Sequence, residues 1–481
     1  MMTPREETGN SEEKSMSNKV KAFVARRLGI GKTTVCLTLF AVCALLPLTL
    51  LQAGDRRIGF LPIDPGPRPG AAGAGGFVAG LTTDQLNVAD ATIPFYKQIN
   101  NVTGTAPIGL GPRFSSNQCS SCHAQPAPGG SSPSSNPLFA IYQLKGATNT
   151  MPSFITPTGP VLDARFPYQI ADTSQTDGTV HPLFTITGRS DAVGCSIAQP
   201  DFVTAQNEND LVLRQPLPTY GDGLLEIILN SDILANWNSN LTLKESLGIS
   251  GHPNYIGNDG SINRFGWKAQ QRSVTLISGQ AYNVDMGVTN DMFPGETDET
   301  TGCLFNPIPE SSINFLAKLP VDYPGDPDRF AIFTRFLAGP TPAPPNGSTL
   351  NGQTQFNNIG CVLCHTTSYT TPAAAVAALG NVQANLFSDL LVHHMGPCLA
   401  DGIVQGSAQG DEFRTPPLWG VGQRIWFMHD GRTSDIVQAV EDHFCTGNGT
   451  YQDSEANAVV NSFNALSPTN AQDLINFLRS L

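Results

Sequence analysis

Two pentapeptides carry the chemistry of this 481-residue chain, CSSCH at 119–123 and CVLCH at 361–365. In such a string the two thiols can add across the vinyl groups of a haem, and the adjacent histidine offers a nitrogen to the iron. Cys119, Cys122, Cys361 and Cys364 are the expected thioether positions, with His123 and His365 the expected iron ligands. A zinc site would need its cysteine pairs close together, and these lie half a chain apart. A thioredoxin-like dithiol needs no following histidine, yet both copies have one. The expectation is two covalently bound haem c groups.

The elements that must position these strings are sparing. Charged residues make up 14% of the chain while glycine (47) and proline (37) are abundant, and 40% is apolar, too much for disorder. Modest helices joined by long ordered loops suffice when a haem serves as much of the core. Near the start, Lys19, Lys21, Arg26, Arg27 and Lys32 precede the apolar run Val35–Leu51, which reads as an export signal over residues 1–53. A retained membrane anchor is the alternative, and the expected location is the periplasm. Without that segment 20 basic residues face 36 acidic ones, which disfavours nucleic acid as a partner. Beyond the signal and the two strings, Cys195, Cys303, Cys398 and Cys445 remain, an even number for an oxidising compartment. Of three possible pairings, Cys195–Cys303 with Cys398–Cys445 is the expectation, and four buried free thiols are the alternative.

Residues 54–80 are rich in glycine, proline and alanine and read as an irregular lead-in. A first haem module is expected over 81–338, with a turn-rich loop after CSSCH and a long insertion over 180–330. A second follows over 348–481, after a proline-rich linker at 339–347. Helical period marks 328–338, and Ser434–Asp442 reads as another helix. The chain closes on a helix with Ser467 as N-cap, Pro468 at its first position, and Leu474, Phe477, Leu478 and Leu481 on one face. A weak internal repeat supports two modules. RQPLPTYG (214–221) parallels RTPPLWGVG (414–422), and the stretch from Phe265 parallels the stretch from Phe427.

GLGPRFSSNQCSSCHAQPAPGGSS, GRSDAVGCSIAQPDF, RFGWKAQQ with DMGVTNDMFP, SDLLVHHMGPCLADG and EFRTPPLWGVGQRIWFMHDGR together resemble the di-haem oxidoreductase family, relatives of bacterial di-haem cytochrome c peroxidases. The resemblance runs from about residue 90 to the end. It implies a mainly α fold: two cytochrome c-like haem domains with long loops and an insertion in the first. It also implies that a six-coordinate C-terminal haem feeds electrons to an N-terminal haem with an open face. In the peroxidase relatives the sixth ligand lies fourteen residues after the histidine of an aromatic-x-His-Asp-Gly motif. From His429 that count lands on His443, with a surface histidine as the plainer reading and Met395 and Met428 as rivals.

The first module departs from the peroxidase pattern, because 274–280 reads VTLISGQ and lacks the relatives' distal glutamate. Substitutes within reach are Glu226, Gln280, Asp285 and Tyr282. Trp267 is a candidate electron relay between haems or a core residue, and Lys268 and Arg264 are candidates for holding propionates. His393 and His394 stand where the family usually has a His-Asp pair. No histidine or methionine lies between Ala124 and Thr150 to close the CSSCH iron; His181 and Met151 come nearest.

The expected activity is peroxidase-like reduction of a small oxidant such as hydrogen peroxide. A small redox protein, a mono-haem cytochrome or a cupredoxin, is the expected electron donor. The membrane enters only if the first segment stays uncleaved. A di-haem electron carrier without turnover, and oxidation of a protein or sulfur substrate, are the alternatives. Acid–acetone extraction should leave the colour on the polypeptide, and intact mass should exceed the apo chain by two haems. A zinc-containing, haem-free protein would contradict the assignment.

Overall fold

Six helices position the two strings: α1 (Thr83–Tyr96), α2 (Val274–Met286), α3 (Asp326–Phe336), α4 (Gly347–Asn358), α5 (Ile436–Glu441) and α6 (Pro468–Ser480). The computed structural model describes residues 62–70, 72–102, 109–256 and 259–481, which lie in one compact unit. The expected signal, with Cys36 and Cys43, lies outside the described residues.

Local signals set the helix ends. Thr82 with Gln85 forms a capping box on α1, as Asn346 with Thr349 does on α4. The Ser273 side chain caps α2 and the Asp435 side chain caps α5. At α6 the expected Ser467 cap accepts from Asn470 N, and Pro468 opens the helix. All four residues of its expected apolar face are buried.

In the C-terminal half α4 packs on α6. Their closest approach is at Gly352, where an added Cβ would sit 1.9 Å from the Asp473 carbonyl oxygen. Phe356 meets Phe477 at 5.5 Å there, one turn before CVLCH. In the N-terminal half α1 packs on α3, with Tyr96 stacked on Phe333 at 4.3 Å. Each string is therefore held beside a helix pair and an aromatic contact.

The mainly helical expectation is met in part. Among the described residues helix makes up 31% and strand with isolated bridges 11%, and the paired strands form five small sheets. The largest is three-stranded: Asp163–Arg165, ahead of the insertion, pairs antiparallel with both Val180–His181 and Val212–Arg214 within it. Alternation along a strand sends Ala164 into the core and puts Asp163 and Arg165 together on the opposite face. The described lead-in is irregular, as expected, but tightly held. Phe77 bridges to Leu337, and Asp64 accepts from Arg479 and from Ile436 N at the start of α5.

The disulfides form in the expected pairing, Cys195–Cys303 and Cys398–Cys445, spanning 108 and 47 residues. Replacing Cys195 and Cys303 together by serine should lower the unfolding free energy by about 2–5 kcal/mol. A fall in denaturant midpoint would register this, and an unchanged midpoint would contradict it.

Candidate functional site

The interior contains two cavities that the chain's own side chains leave unfilled. One, a void of about 200 Å³ partly open to solvent, is walled by Cys361, Cys364, His365 and His443 with Phe356, Phe427 and Leu474. The other, about 230 Å³ and also partly open, is walled by Cys119, Cys122 and His123 with Tyr96, Leu138 and Phe330. Protein interiors are otherwise close-packed, with few voids larger than a water molecule.

Around each string the chemistry suits a haem. Cys195, Cys303, Cys398 and Cys445 are bridged, whereas Cys119, Cys122, Cys361 and Cys364 keep free thiols. Burial pushes Cys122 and Cys361 up to about 12, so neither is a thiolate at neutral pH. Each string histidine donates Nδ1–H to a backbone carbonyl, His123 to Gly130 at 3.1 Å and His365 to Phe387 at 3.0 Å. A carbonyl only accepts, so Nε2 keeps its lone pair, the state an iron ligand needs. Buried guanidinium nitrogens without partners also line the walls: Arg165 Nε in the CSSCH cavity, Arg424 Nε in the CVLCH cavity, and Arg414 Nη1. Haem carboxylates would satisfy them.

His443 meets the same criterion. Its Nδ1 donates to Ala439 O at 2.6 Å, and burial followed by the nearby His443 brings the His365 imidazole down to about 4. His429 also lines this cavity, stacked on Phe413 at 4.3 Å, and burial brings it to about 4. Met395 and Met428 lie in the same wall.

The internal repeat is real in three dimensions. Phe265 bridges Gln271 and Phe427 bridges Thr433, the same six-residue span. Left-handed φ recurs at matching places, Gly266 with Met428 and Ala269 with Gly431. The caps Ser273 and Asp435 then start α2 and α5 at the same offset. Trp267 and His429 occupy equivalent positions and meet edge to face at 6.3 Å. Continuing the register, His443 corresponds to Ala281, which lines the CSSCH cavity.

The sequence-derived candidates fall out unequally. Trp267 lines both cavities, its indole N–H held by Gln215 O at 2.8 Å. Gln280, Tyr282 and Asp285 line the CSSCH cavity; Gln280 accepts from Gln271 and Tyr282 donates to Asp326. Glu226 does not line it. Its carboxylate is spent on Arg335 at 2.6 Å and on Val274 N at the start of α2, a structural role that corrects its candidacy. Lys268 and Arg264 face neither cavity, Lys268 being paired with Asp401 and Arg264 with loop carbonyls. His181 pairs with Asp177 and stacks on Phe166, and neither it nor Met151 lines the cavity. Sequence reasoning missed Asp163, Arg165 and Met286, all in the CSSCH wall. The first two carried no motif, and Met286 sits far from the string in sequence.

His393 and His394 are both held by acids. His394 Nδ1 lies 3.0 Å from Asp411, while buried His393 sits between Glu455 at 2.7 Å and Asp389 at 2.9 Å. Both carboxylates accept, so His393 is an imidazolium. Burial opposes that charge, but Cys364 and Asp389 raise the imidazole well above its usual range. Burial likewise opposes the Glu455 charge, yet His393 brings it down to about 2. The Glu455 share of stability is present above the ordinary 4.5 and lost as pH falls toward 2. The His393 share is present below 6.5 and lost as pH rises through its raised value. His393→Leu should cost about 3–5 kcal/mol near pH 6, since it strands two buried carboxylates. Denaturation at pH 6 and pH 3 checks this: the penalty should shrink in acid, and an equal penalty at both would contradict the pairing.

One comparison with known proteins, the family match, agrees with this chemistry. The family model described as "Di-haem oxidoreductase, putative peroxidase" matches residues 163–481, two thirds of the chain, starting after CSSCH. No curated protein matches. Among solved structures, a MauG-like protein associated with microbial copper homeostasis is similar at 14% identity, with 53% of this chain and 89% of that one covered. The TM-score is 0.26. On the family match, the chain belongs to the di-haem oxidoreductases.

Proposed function

We propose that the protein is an exported two-haem c-type oxidoreductase that reduces a small oxidant, hydrogen peroxide first among them, at the CSSCH site. The observation that carries this is the exchange of His443 for Ala281 between equivalent positions of the repeated loop. His443, in the same cavity as His365, would offer a second nitrogen to a bound haem iron. Alanine at the other position provides none and leaves space. Bound haem supplies one-electron redox chemistry at each site.

The chain's residues do the rest. His123 and His365 would ligate haem iron through Nε2, and the Gly130 and Phe387 carbonyls fix their tautomer. Trp267, in the wall of both cavities, gives electrons a path from the CVLCH side to the CSSCH side. Asp285 holds a proton in the CSSCH wall. Burial first, then Asp163, raises its carboxyl well above the usual range, and its Oδ1 has no hydrogen-bond partner. Gln280 Oε1 is engaged by Gln271, which leaves its amide N–H groups as donors to a bound oxygen. An acidic exported chain suits a basic donor protein, and the donor is a small cytochrome or cupredoxin of the periplasm.

One observation favours a second reading, a pure electron carrier. Met286 lines the CSSCH cavity, and its thioether, which accepts from Asn100 at 3.2 Å, would close that iron if it swung free.

Cyanide should bind the native protein rapidly at one iron only. His443→Ala should replace a low-spin bis-histidine signal by a high-spin one. Ala281→His should do the reverse at the other centre, abolishing cyanide binding and peroxide turnover while both haems are retained. Two inert low-spin centres in the native protein would establish the electron-carrier reading instead.

A further inference from the structure

Arg214 and Arg414 open the two copies of the repeated RxP segment, and each ends a short strand, Val212–Arg214 and Glu412–Arg414. Their surroundings differ in one respect. Arg214 is spent: it forms an ion pair with Asp401 and donates to Gln405 at 2.7 Å. Arg414 has no carboxylate partner among the described residues. It donates Nε–H to Gly266 O at 3.0 Å, while Nη1 is buried with no hydrogen-bond partner.

That guanidinium is 5% exposed, and it lines both cavities. Burial lowers its proton affinity only to about 10, so it stays charged at neutral pH. Asp222 is the acid acting most strongly on it, but it forms neither an ion pair nor a hydrogen bond with Arg414, and burial raises its own carboxyl well above the usual range. A buried charge without a partner is costly and buried polar atoms are normally satisfied, so an anion is missing from this arrangement. The planar fork of arginine can serve two carboxylates at once.

We propose that Arg414 is a shared carboxylate clamp, pairing with a propionate of the haem in each cavity so that both centres respond to one fixed positive charge. This rests on the two-haem reading above. Its neighbours supply one-sided counterparts: Arg165, with an unpartnered Nε, lines only the CSSCH cavity, and Arg424, likewise unpartnered at Nε, lines only the CVLCH cavity. Because the main chain of Arg414 donates to Trp267 O at 2.8 Å, the clamp also anchors the residue common to both walls. Arg414 is thus a positioning residue that couples the sites, and it needs no contact with the oxidant.

The test is a redox titration of the exported protein followed by electron paramagnetic resonance, which separates the high-spin from the low-spin centre. Haem content is counted by intact mass. Arg414→Gln should lower both midpoint potentials, since a positive charge favours the reduced form. Arg414→Lys, which keeps the charge but loses the fork, should shift both less. Arg165→Gln should act mainly on the high-spin centre and Arg424→Gln mainly on the low-spin one. If Arg414→Gln sheds haem while Arg414→Lys retains both, the clamp is equally supported. A shift confined to one centre, or no shift, overturns it. Fewer than two haems in the unmodified protein would instead overturn the two-haem reading, a result distinct from failure of the clamp.

Discussion

A buried imidazole can bind a metal only while one nitrogen keeps its lone pair, and here backbone carbonyls enforce that state at three histidines. His123, His365 and His443 each donate Nδ1–H to the main chain, which costs each its freedom to flip or to take the other tautomer. Much of the fold provides those carbonyls. Gly130 belongs to the turn that closes back on Gln125, and Phe387 to a loop whose amide meets Thr367 O. Ala439 belongs to α5, which Asp435 caps and Asp64 of the lead-in approaches.

Around these histidines two helix pairs, α1 with α3 and α4 with α6, pack closely at their contacts, and Phe, Leu and Val side chains line the two cavities. Unpartnered guanidinium nitrogens stand in those walls. Apolar walls with stranded cations are unstable alone and suit a flat apolar group bearing carboxylates. The family match independently places the chain among di-haem proteins.

A duplicated loop is what differentiates the two sites. It keeps its bridge, its two left-handed positions and its cap in both copies, while side chains diverge at the places that matter. Trp267 faces His429, and Ala281 stands where His443 stands. One scaffold thus holds two different chemical environments, with Trp267 and Arg414 in the wall between them.

Much of this was legible in the sequence because it is local. Cys-x-x-Cys-His and the Ser467–Pro468 helix start each act within a few residues of themselves. The repeat could be read because both copies kept an Arg-x-Pro segment and the phenylalanine that opens the loop, Phe265 and Phe427. The sheets of the insertion were not legible, since strands of two or three residues have too little alternation to register. Glu226 was misjudged as a site residue because a sequence position carries no record of Arg335 beside it in space. Asp163, Arg165 and Met286 carried no motif; they reach the CSSCH wall only through a strand face and a helix end set by distant contacts. By itself, the sequence determined which atoms are available for bonding, because that chemistry travels with residue type and short spacing. Only the tertiary structure decided which of them share a wall and which lack a partner, because both depend on contacts between segments hundreds of residues apart.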